Sequence, residues 1–212
     1  ADVLAKRTGT TLVSGIPVYA DSGRHNSIIA LGAGSGEHHK QKLVPFGEYV
    51  PLEQWLRGLI QFFDLPMSQF VPGPARRPSL RVGNFEAAPF ICYEIVYPDF
   101  VTRQSREADF LITVSNDSWF GDSIGPLQHL QMARFRALET ARPLLRGTNN
   151  GVSAIVAANG QIIAQSEQFV ETTLLGSITP RHGTTPIMRY GSTPILLLSS
   201  VILLGFARRR RH

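Results

Sequence analysis

Apolar and polar positions in the first part of the chain predict a β-hairpin. Residues 10–19 and 26–31 are rich in β-branched and apolar residues, and Asp21, Ser22 and Gly23 between them favour a turn. Residues 1–7 lack an initiator Met and a signal-peptide pattern, and they are typical of the last turns of a helix. We therefore expect the sequence to begin inside a longer protein, with a helix that leads into the hairpin.

The middle of the chain alternates between strands and helices. Continuous apolar runs at 85–91 and 110–114 predict two buried strands. Residues 98–107 predict a short helix between them, and apolar residues at helical spacing predict a longer helix over 126–142. This alternation indicates an α/β fold.

Two Asn-Gly turns, at 150–151 and 159–160, separate three β-type segments that follow the long helix. Because Asn-Gly is the strongest short hairpin signal, this pattern predicts a β-meander over 144–165. Residues 172–179 predict one further strand.

The end of the chain has a different character. Residues 190–207 carry no charge and would form a helix about 27 Å long, close to the roughly 30 Å hydrocarbon core of a bilayer. Arg208 to Arg211 follow, so the positive-inside rule predicts a cytoplasmic C-terminus and places the preceding domain in the periplasm of a Gram-negative cell. The chain therefore divides into a domain at 1–186 and a transmembrane helix with a basic tail at 187–212.

Residues 52–63 predict an amphipathic helix, and apolar side chains continue from it to Pro74. Two interpretations stay open for this segment. It is either buried in the core, or it forms a lid or a membrane-facing arm.

Charge and cysteine content exclude several kinds of function. The formal net charge is +5, but Arg208 to Arg211 supply most of the excess, so no nucleic-acid surface is predicted. The single cysteine excludes an internal disulfide framework and a Cys-based zinc cluster. His38 and His39 are neighbours that point to opposite faces of an extended segment, and we expect no metal and no other cofactor.

Cys92 follows directly after the apolar run at 85–91. It is therefore expected at the carboxyl end of a buried strand, where α/β folds place catalytic groups, and Asn116 and Asp117 are expected at the same edge. Two interpretations apply to the thiol: a nucleophile, or a small buried apolar residue.

Four segments of the chain resemble the nitrilase superfamily. Their amino-acid sequences and their order along the chain are similar, more specifically, to the apolipoprotein N-acyltransferase family of bacterial membranes. They are KLVPFGEYVP at 42–51, ICYE at 91–94, NDSWFG at 116–121 and QHLQMARFRALETARPLLRGTNNGVSA at 128–154. The resemblance implies a four-layer αββα sandwich, incomplete at its N-terminus here and followed by one transmembrane helix.

The resemblance also implies a catalytic Glu, Lys and Cys. It matches Cys92 to the nucleophile and Lys40 to the lysine, whose separation of eight residues from Glu48 fits the family better than that of Lys42. Glu48 and Glu94 match auxiliary glutamates. The base glutamate belongs to a segment before residue 1, so residues 1–212 alone are expected to be inactive.

Tyr93 and Trp119 flank this site in the sequence. They are candidate contacts for an acyl chain or a lipid head group, or else ordinary core aromatics.

The function implied by the resemblance is transfer of an acyl chain from a phospholipid such as phosphatidylethanolamine, through a thioester on Cys92. The acceptor is the N-terminal diacylglyceryl-cysteine of an apolipoprotein, and the place is the bacterial inner membrane. Two alternatives remain: a carbon-nitrogen hydrolase of small amides or nitriles, and a non-catalytic membrane-anchored binding module.

Overall fold

A computed structural model describes residues 1–49, 70–75 and 79–209 of the chain. The helix predicted at 52–63 lies outside these ranges. The described residues form an α/β fold built on two sheets.

The smaller sheet is antiparallel and contains the predicted hairpin. Its strands are β1 (Thr11–Ala20), β2 (Gly23–Gly32) and β3 (Glu37–His39), in that order. A helix, α1 (Asp2–Thr8), precedes the hairpin as predicted, and it ends at Gly9, whose φ of 66° is accessible to glycine without steric cost. The Asp2 carboxylate accepts a hydrogen bond from the backbone N–H of Gly32 at 2.8 Å, which fixes α1 to the end of β2.

The larger sheet has six strands in sequence order. They are β4 (Leu80–Val82), β5 (Phe85–Ile91), β6 (Phe110–Ser115), β7 (Leu144–Thr148), β8 (Ala154–Val156) and β9 (Ile162–Gln165). The central strands β5, β6 and β7 run parallel, and the outer pairs are antiparallel. The carboxyl ends of β5 and β6 therefore meet at one edge, as predicted.

Alternate residues of β5 face two separate apolar clusters, because successive side chains of a strand point to opposite faces. Ala88 and Phe90 join a cluster with the helices α2 (Pro98–Gln104) and α3 (Gly125–Thr140). Ala87 and Ile91 join a second cluster that includes Ile28 of the smaller sheet. The order of layers is therefore helices, six-stranded sheet, three-stranded sheet.

The strand predicted at 172–179 is wrong, because this segment has no regular secondary structure. Leu175 is 85% exposed, whereas Ile178 packs against the cluster between the sheets. The segment covers that cluster without pairing with a neighbouring strand.

The prediction of one continuous helix over 190–207 is also wrong. Helix α4 (Pro186–Tyr190) ends at Gly191, which has a φ of 60°, and a separate helix, α5 (Thr193–Arg209), follows. Among the helices in the described ranges, none combines the length and the apolar character that a membrane crossing requires. The cytoplasmic location of the C-terminus depended on that crossing and stays a prediction, as does the division at residue 186.

Candidate active site

Cys92 lies directly after β5 and is the first residue of a 3-10 helix, η1 (Cys92–Val96). Its side chain is half-buried, and its φ of 49° is in the left-handed region, which is unusual for a residue other than glycine. Strained backbone of this kind persists only where the surroundings hold it, and it is common at functional sites. The prediction that Cys92 sits at the carboxyl end of a buried strand is confirmed.

Glu94 is fully buried, and its carboxylate accepts four hydrogen bonds from described residues. Oε1 accepts from the backbone N–H of Gln41 at 2.6 Å and of Lys42 at 3.2 Å. Oε2 accepts from the backbone N–H of Ile91 at 2.9 Å and contacts His38 Nε2 at 2.8 Å. Glu94 therefore ties the backbone next to Lys40 to the backbone next to Cys92.

Lys40 follows β3 and is only 1% exposed. Its Nζ donates to Glu48 Oε2 at 2.7 Å. Glu48 also accepts from the backbone N–H of Val44 at 2.8 Å and from the Asn26 amide at 3.1 Å. A buried ammonium is tolerated where it is paired in this way, and the pair holds the lysine side chain in one orientation.

The side chain of Lys42, the competing candidate, lies elsewhere. Its Nζ is 5.7 Å from the ring centroid of Phe100, in a cavity of about 420 Å³ that Arg103 and Arg106 also line. Phe100 belongs to the cluster between β5 and the helices. Lys40 is thus the lysine whose charge is buried beside a carboxylate.

Tyr93 and Trp119, the two predicted substrate contacts, are both partly open to solvent. Tyr93 is 37% exposed and makes an edge contact with Tyr97, with ring centroids 5.3 Å apart. Trp119 is 59% exposed, in the 3-10 helix η2 (Asp117–Phe120) that follows β6. The interpretation of Trp119 as an ordinary core aromatic is therefore wrong.

A buried polar cluster lies behind Cys92, and it includes Asp117, which was predicted at this edge of the sheet. His129 of α3 is 4% exposed, and its Nε2 is 3.1 Å from the carbonyl oxygen of Cys92. Its Nδ1 is 3.3 Å from Asp117 Oδ1 and 3.2 Å from Arg146 Nη2. Arg146 also donates to Asp117 Oδ2 at 2.7 Å, so the three side chains form one network.

Helical spacing is the signal that identifies His129. The residues 129, 133, 136 and 140 share one face of α3, and all four are buried. This helical spacing therefore predicts that His129 is buried, which its residue type alone does not.

The charges of this cluster stabilise one another. Burial raises the pKa of Asp117, but the hydrogen bond with His129 and the charge of Arg146 outweigh burial and hold that pKa below its ordinary value. Burial lowers the pKa of Arg146, and the negative charge of Asp117 and its hydrogen bond oppose this shift. Arg146 is therefore a buried cation that is paired with Asp117.

The described residues contain no group of three or more His, Cys, Asp or Glu side chains arranged to hold a metal ion. His38 contacts Glu94, whereas His39 contacts Ser27 Oγ at 2.7 Å. The two neighbours thus have different partners.

This arrangement has the chemical parts of a thiol-based acyl transfer site. It holds a thiol at a strand end, a buried lysine paired with a carboxylate, and a second carboxylate that joins their backbones. A thiol is a good nucleophile and a thioester is readily cleaved, so such a site divides one difficult step into two easier ones.

Known proteins with similar sequences are consistent with this chemistry. The apolipoprotein N-acyltransferase of Azotobacter vinelandii is 49% identical over 216 residues, which cover 100% of this chain and 42% of that protein. The apolipoprotein N-acyltransferase of Haemophilus influenzae is 46% identical over 225 residues, which cover 98% of this chain and 43% of that protein. The chain thus spans about two fifths of the length of these curated relatives.

Solved structures show the same fold at low identity. A branch 10 nitrilase-superfamily member from Saccharomyces cerevisiae has a TM-score of 0.60 at 20% identity, over 80% of this chain and 60% of its own. A carbon-nitrogen hydrolase from Helicobacter pylori has a TM-score of 0.59 at 16% identity, over 80% of this chain and 62% of its own. The sequence profile of the carbon-nitrogen hydrolase family matches residues 2–185. The chain therefore belongs to the carbon-nitrogen hydrolase family, whose nitrilase-type α/β fold it adopts.

Proposed function

We propose that this protein is an N-acyltransferase that matures bacterial lipoproteins. The observation that carries the proposal is the 49% identity to an apolipoprotein N-acyltransferase along the whole chain. Because the chain corresponds to 42% of that relative, the activity and substrates belong to the complete protein.

In the proposed mechanism, Cys92 gives its thiol proton to a base, and the thiolate attacks the ester carbonyl of the donor. The tetrahedral intermediate collapses, the C–O bond breaks, and the lysophospholipid alcohol leaves with a proton. The acceptor amine then attacks the thioester carbonyl, the C–S bond breaks, and an amide forms while the amine's proton returns the thiolate to a thiol.

Lys40 is proposed to stabilise the oxyanion of these intermediates, because its ammonium is already buried and oriented by Glu48. Glu48 and Glu94 are unsuited to be the base. Each carboxylate is occupied by the hydrogen bonds that hold the site together. We therefore keep the prediction that the base glutamate lies outside residues 1–212.

The proposed donor is a phospholipid such as phosphatidylethanolamine, and the proposed acceptor is a diacylglyceryl-cysteine at the N-terminus of an apolipoprotein. Both are amphiphilic, and Trp119 and Tyr93 offer exposed aromatic surface for their acyl chains or head groups.

The proposed location is the periplasmic face of the bacterial inner membrane. Helix α5 supports an association with lipid, because its large apolar side chains are mostly about 60% exposed, among them Leu197, Leu203 and Phe206. Exposed apolar surface of this extent is typical of a site that contacts a membrane or a partner.

The test uses the complete protein in detergent with vesicles that contain phosphatidylethanolamine. We expect intact mass spectrometry to detect one acyl group, lost on addition of a synthetic diacylglyceryl-cysteine peptide, which gains it as an amide. The Cys92→Ala variant should show neither product. An acyl-enzyme that hydrolyses at the same rate with and without the peptide would instead favour the hydrolase alternative, which the family match also supports.

A further inference from the structure

We propose that His129 is a positioning residue that fixes the peptide plane between Cys92 and Tyr93. This inference depends on the proposed function only in taking Cys92 as the nucleophile. The hydrogen bond from His129 Nε2 to the Cys92 carbonyl oxygen, 3.1 Å long, carries it.

The backbone at Cys92 is held from both sides. Before it, the N–H of Ile91 donates to Glu94 at 2.9 Å, and after its Cα the carbonyl oxygen of Cys92 accepts from His129. A non-glycine residue at φ 49° is unfavourable unless its surroundings hold it, and these two bonds fix the backbone on either side of it. Glu94 holds the N–H of the preceding residue, Ile91, whereas His129 holds the carbonyl group of Cys92 itself.

The proton on His129 is assigned by its partners. A carbonyl oxygen is only an acceptor, so Nε2 must carry a hydrogen to bond Cys92. If the ring is neutral, Nδ1 accepts from Arg146 Nη2, and if the ring is charged, Nδ1–H donates to Asp117 Oδ1. The bond to Cys92 is present in both protonation states, so His129 holds the backbone without releasing its Nε2 proton.

The other side of the ring is equally fixed. Asp117 and Arg146 are nearly fully buried, and Asp117 also accepts from Ser115 Oγ at 2.5 Å. The Phe120 ring meets the imidazole edge-on, with centroids 6.1 Å apart. His129 is thus held by groups from η2, β6 and β7 and transmits their position to Cys92.

The consequence for catalysis follows from the planarity of the peptide bond. In a trans peptide the C=O and the next N–H point in opposite directions, so the bond from His129 to the Cys92 carbonyl also sets the direction of the Tyr93 N–H. This N–H adjoins the nucleophile and is directed away from the ring. Loss of the His129 bond lets the plane rotate, which misaligns both the thiol and its neighbouring donor.

The test compares His129→Leu, His129→Asn and His129→Gln in the complete protein. Acylation of Cys92 by a p-nitrophenyl acyl ester is measured as the release of nitrophenol per mole of folded protein, with the folded fraction determined by circular dichroism. We expect kcat to fall about 10- to 100-fold for Leu, since small misplacements of a reacting group have effects of this size, with KM nearly unchanged. Gln should recover most of the rate, because its amide nitrogen reaches the Nε2 position, whereas the shorter Asn should not.

Thr140→Val is the matched control, because Thr140 is fully buried on the same face of α3 and bonds the carbonyl oxygen of Arg136 at 2.7 Å. We expect its rate per mole of folded protein to match the wild type. If Leu does not fold, Asn gives the same expectation with a polar side chain. A wild-type kcat in Leu or Asn, or a Gln variant as slow as Leu, would overturn the proposal.

The pH profile separates positioning from proton transfer. A positioning role predicts the same profile shape in His129→Gln as in wild type, with a lower plateau in His129→Leu. Loss of one limb of the profile in His129→Gln would show that His129 transfers a proton and would also overturn the proposal. The ester assay reports on Cys92 even if the protein does not acylate lipoproteins, so the two proposals fail separately.

Discussion

The Nζ atom of Lys40 lies 2.7 Å from Oε2 of Glu48, and both side chains are largely withdrawn from solvent. Lys40 lies at the start of the loop that follows β3, and Glu48 lies farther along it. Loss of this ion pair should therefore affect both the stability of the fold and the geometry of the site.

Glu48→Gln should destabilise the protein by about 3 kcal/mol, because removal of one partner leaves a buried charge uncompensated. Urea unfolding in detergent gives this value. Lys6→Ala breaks an ion pair of similar length, 2.8 Å to Asp2, but on the surface, and should cost less than about 1 kcal/mol. Equal costs for the two variants would contradict the assignment of Lys40 as a buried ammonium.

The left-handed backbone of Cys92 predicts an unusual order of stability among its variants. Cys92→Gly should be more stable than Cys92→Ala by about 1 kcal/mol, because glycine adopts this φ without the clash of a Cβ atom. Thermal unfolding of the two inactive proteins measures the difference.

Ala141 provides a parallel, since its φ is 50°, and Ala141→Gly should also stabilise. Ala133→Gly, inside α3, should destabilise by about 1 kcal/mol or more. A Cys92→Gly variant less stable than Cys92→Ala would show that this backbone is unstrained.

Asp117 should make stability depend on pH at the acid end. Its pKa in the folded protein is depressed below the ordinary value of 3.8, so its stabilisation is fully present above that value and is lost as the pH falls through the folded pKa. The unfolding free energies of wild type and Asp117→Asn should therefore differ most near neutral pH and converge in acid.

Asn116→Ala is the control for Asp117→Asn, because it changes the same turn without removing a charge. Its difference from wild type should be constant with pH. A constant difference for Asp117→Asn as well would mean that the carboxylate is not stabilised by its neighbours.

Helix α5 should determine association with lipid. Arginine at Leu197, Val201 and Leu204, which are 60% or more exposed, should abolish flotation of residues 1–212 with phospholipid vesicles. Arginine at the exposed positions 172, 173 and 184 adds the same charge outside α5 and should leave flotation intact. Flotation of both variants would assign lipid contact to another surface.

Local patterns predicted the elements on which Cys92 is placed. The apolar run of β5, the hairpin of β1 and β2, and the Asn-Gly turns around β8 depend on short-range signals, and all three are confirmed. The segment 172–179 failed for a different reason. Its residue types favour a strand, but β-propensity does not say whether a sheet edge is available for pairing.

The polar network was less accessible to sequence reasoning. His129, Asp117 and Arg146 are far apart in sequence, and their burial depends on how α3 packs over β6 and β7. The sequence did not predict the helix break at Gly191, because a glycine inside a long apolar segment is also compatible with a continuous helix.

Glu94 has a consequence for how the sequence can vary. Three of its four partners are backbone N–H groups, at residues 41, 42 and 91, and every amino acid except proline supplies such a donor. The bonds to Glu94 therefore place no demand on the side chains at these three positions, provided that proline is avoided, whereas position 94 must remain a glutamate. His38 is the side-chain partner of Glu94 within the described ranges, so a compensating change at His38 would accompany any exchange at 94.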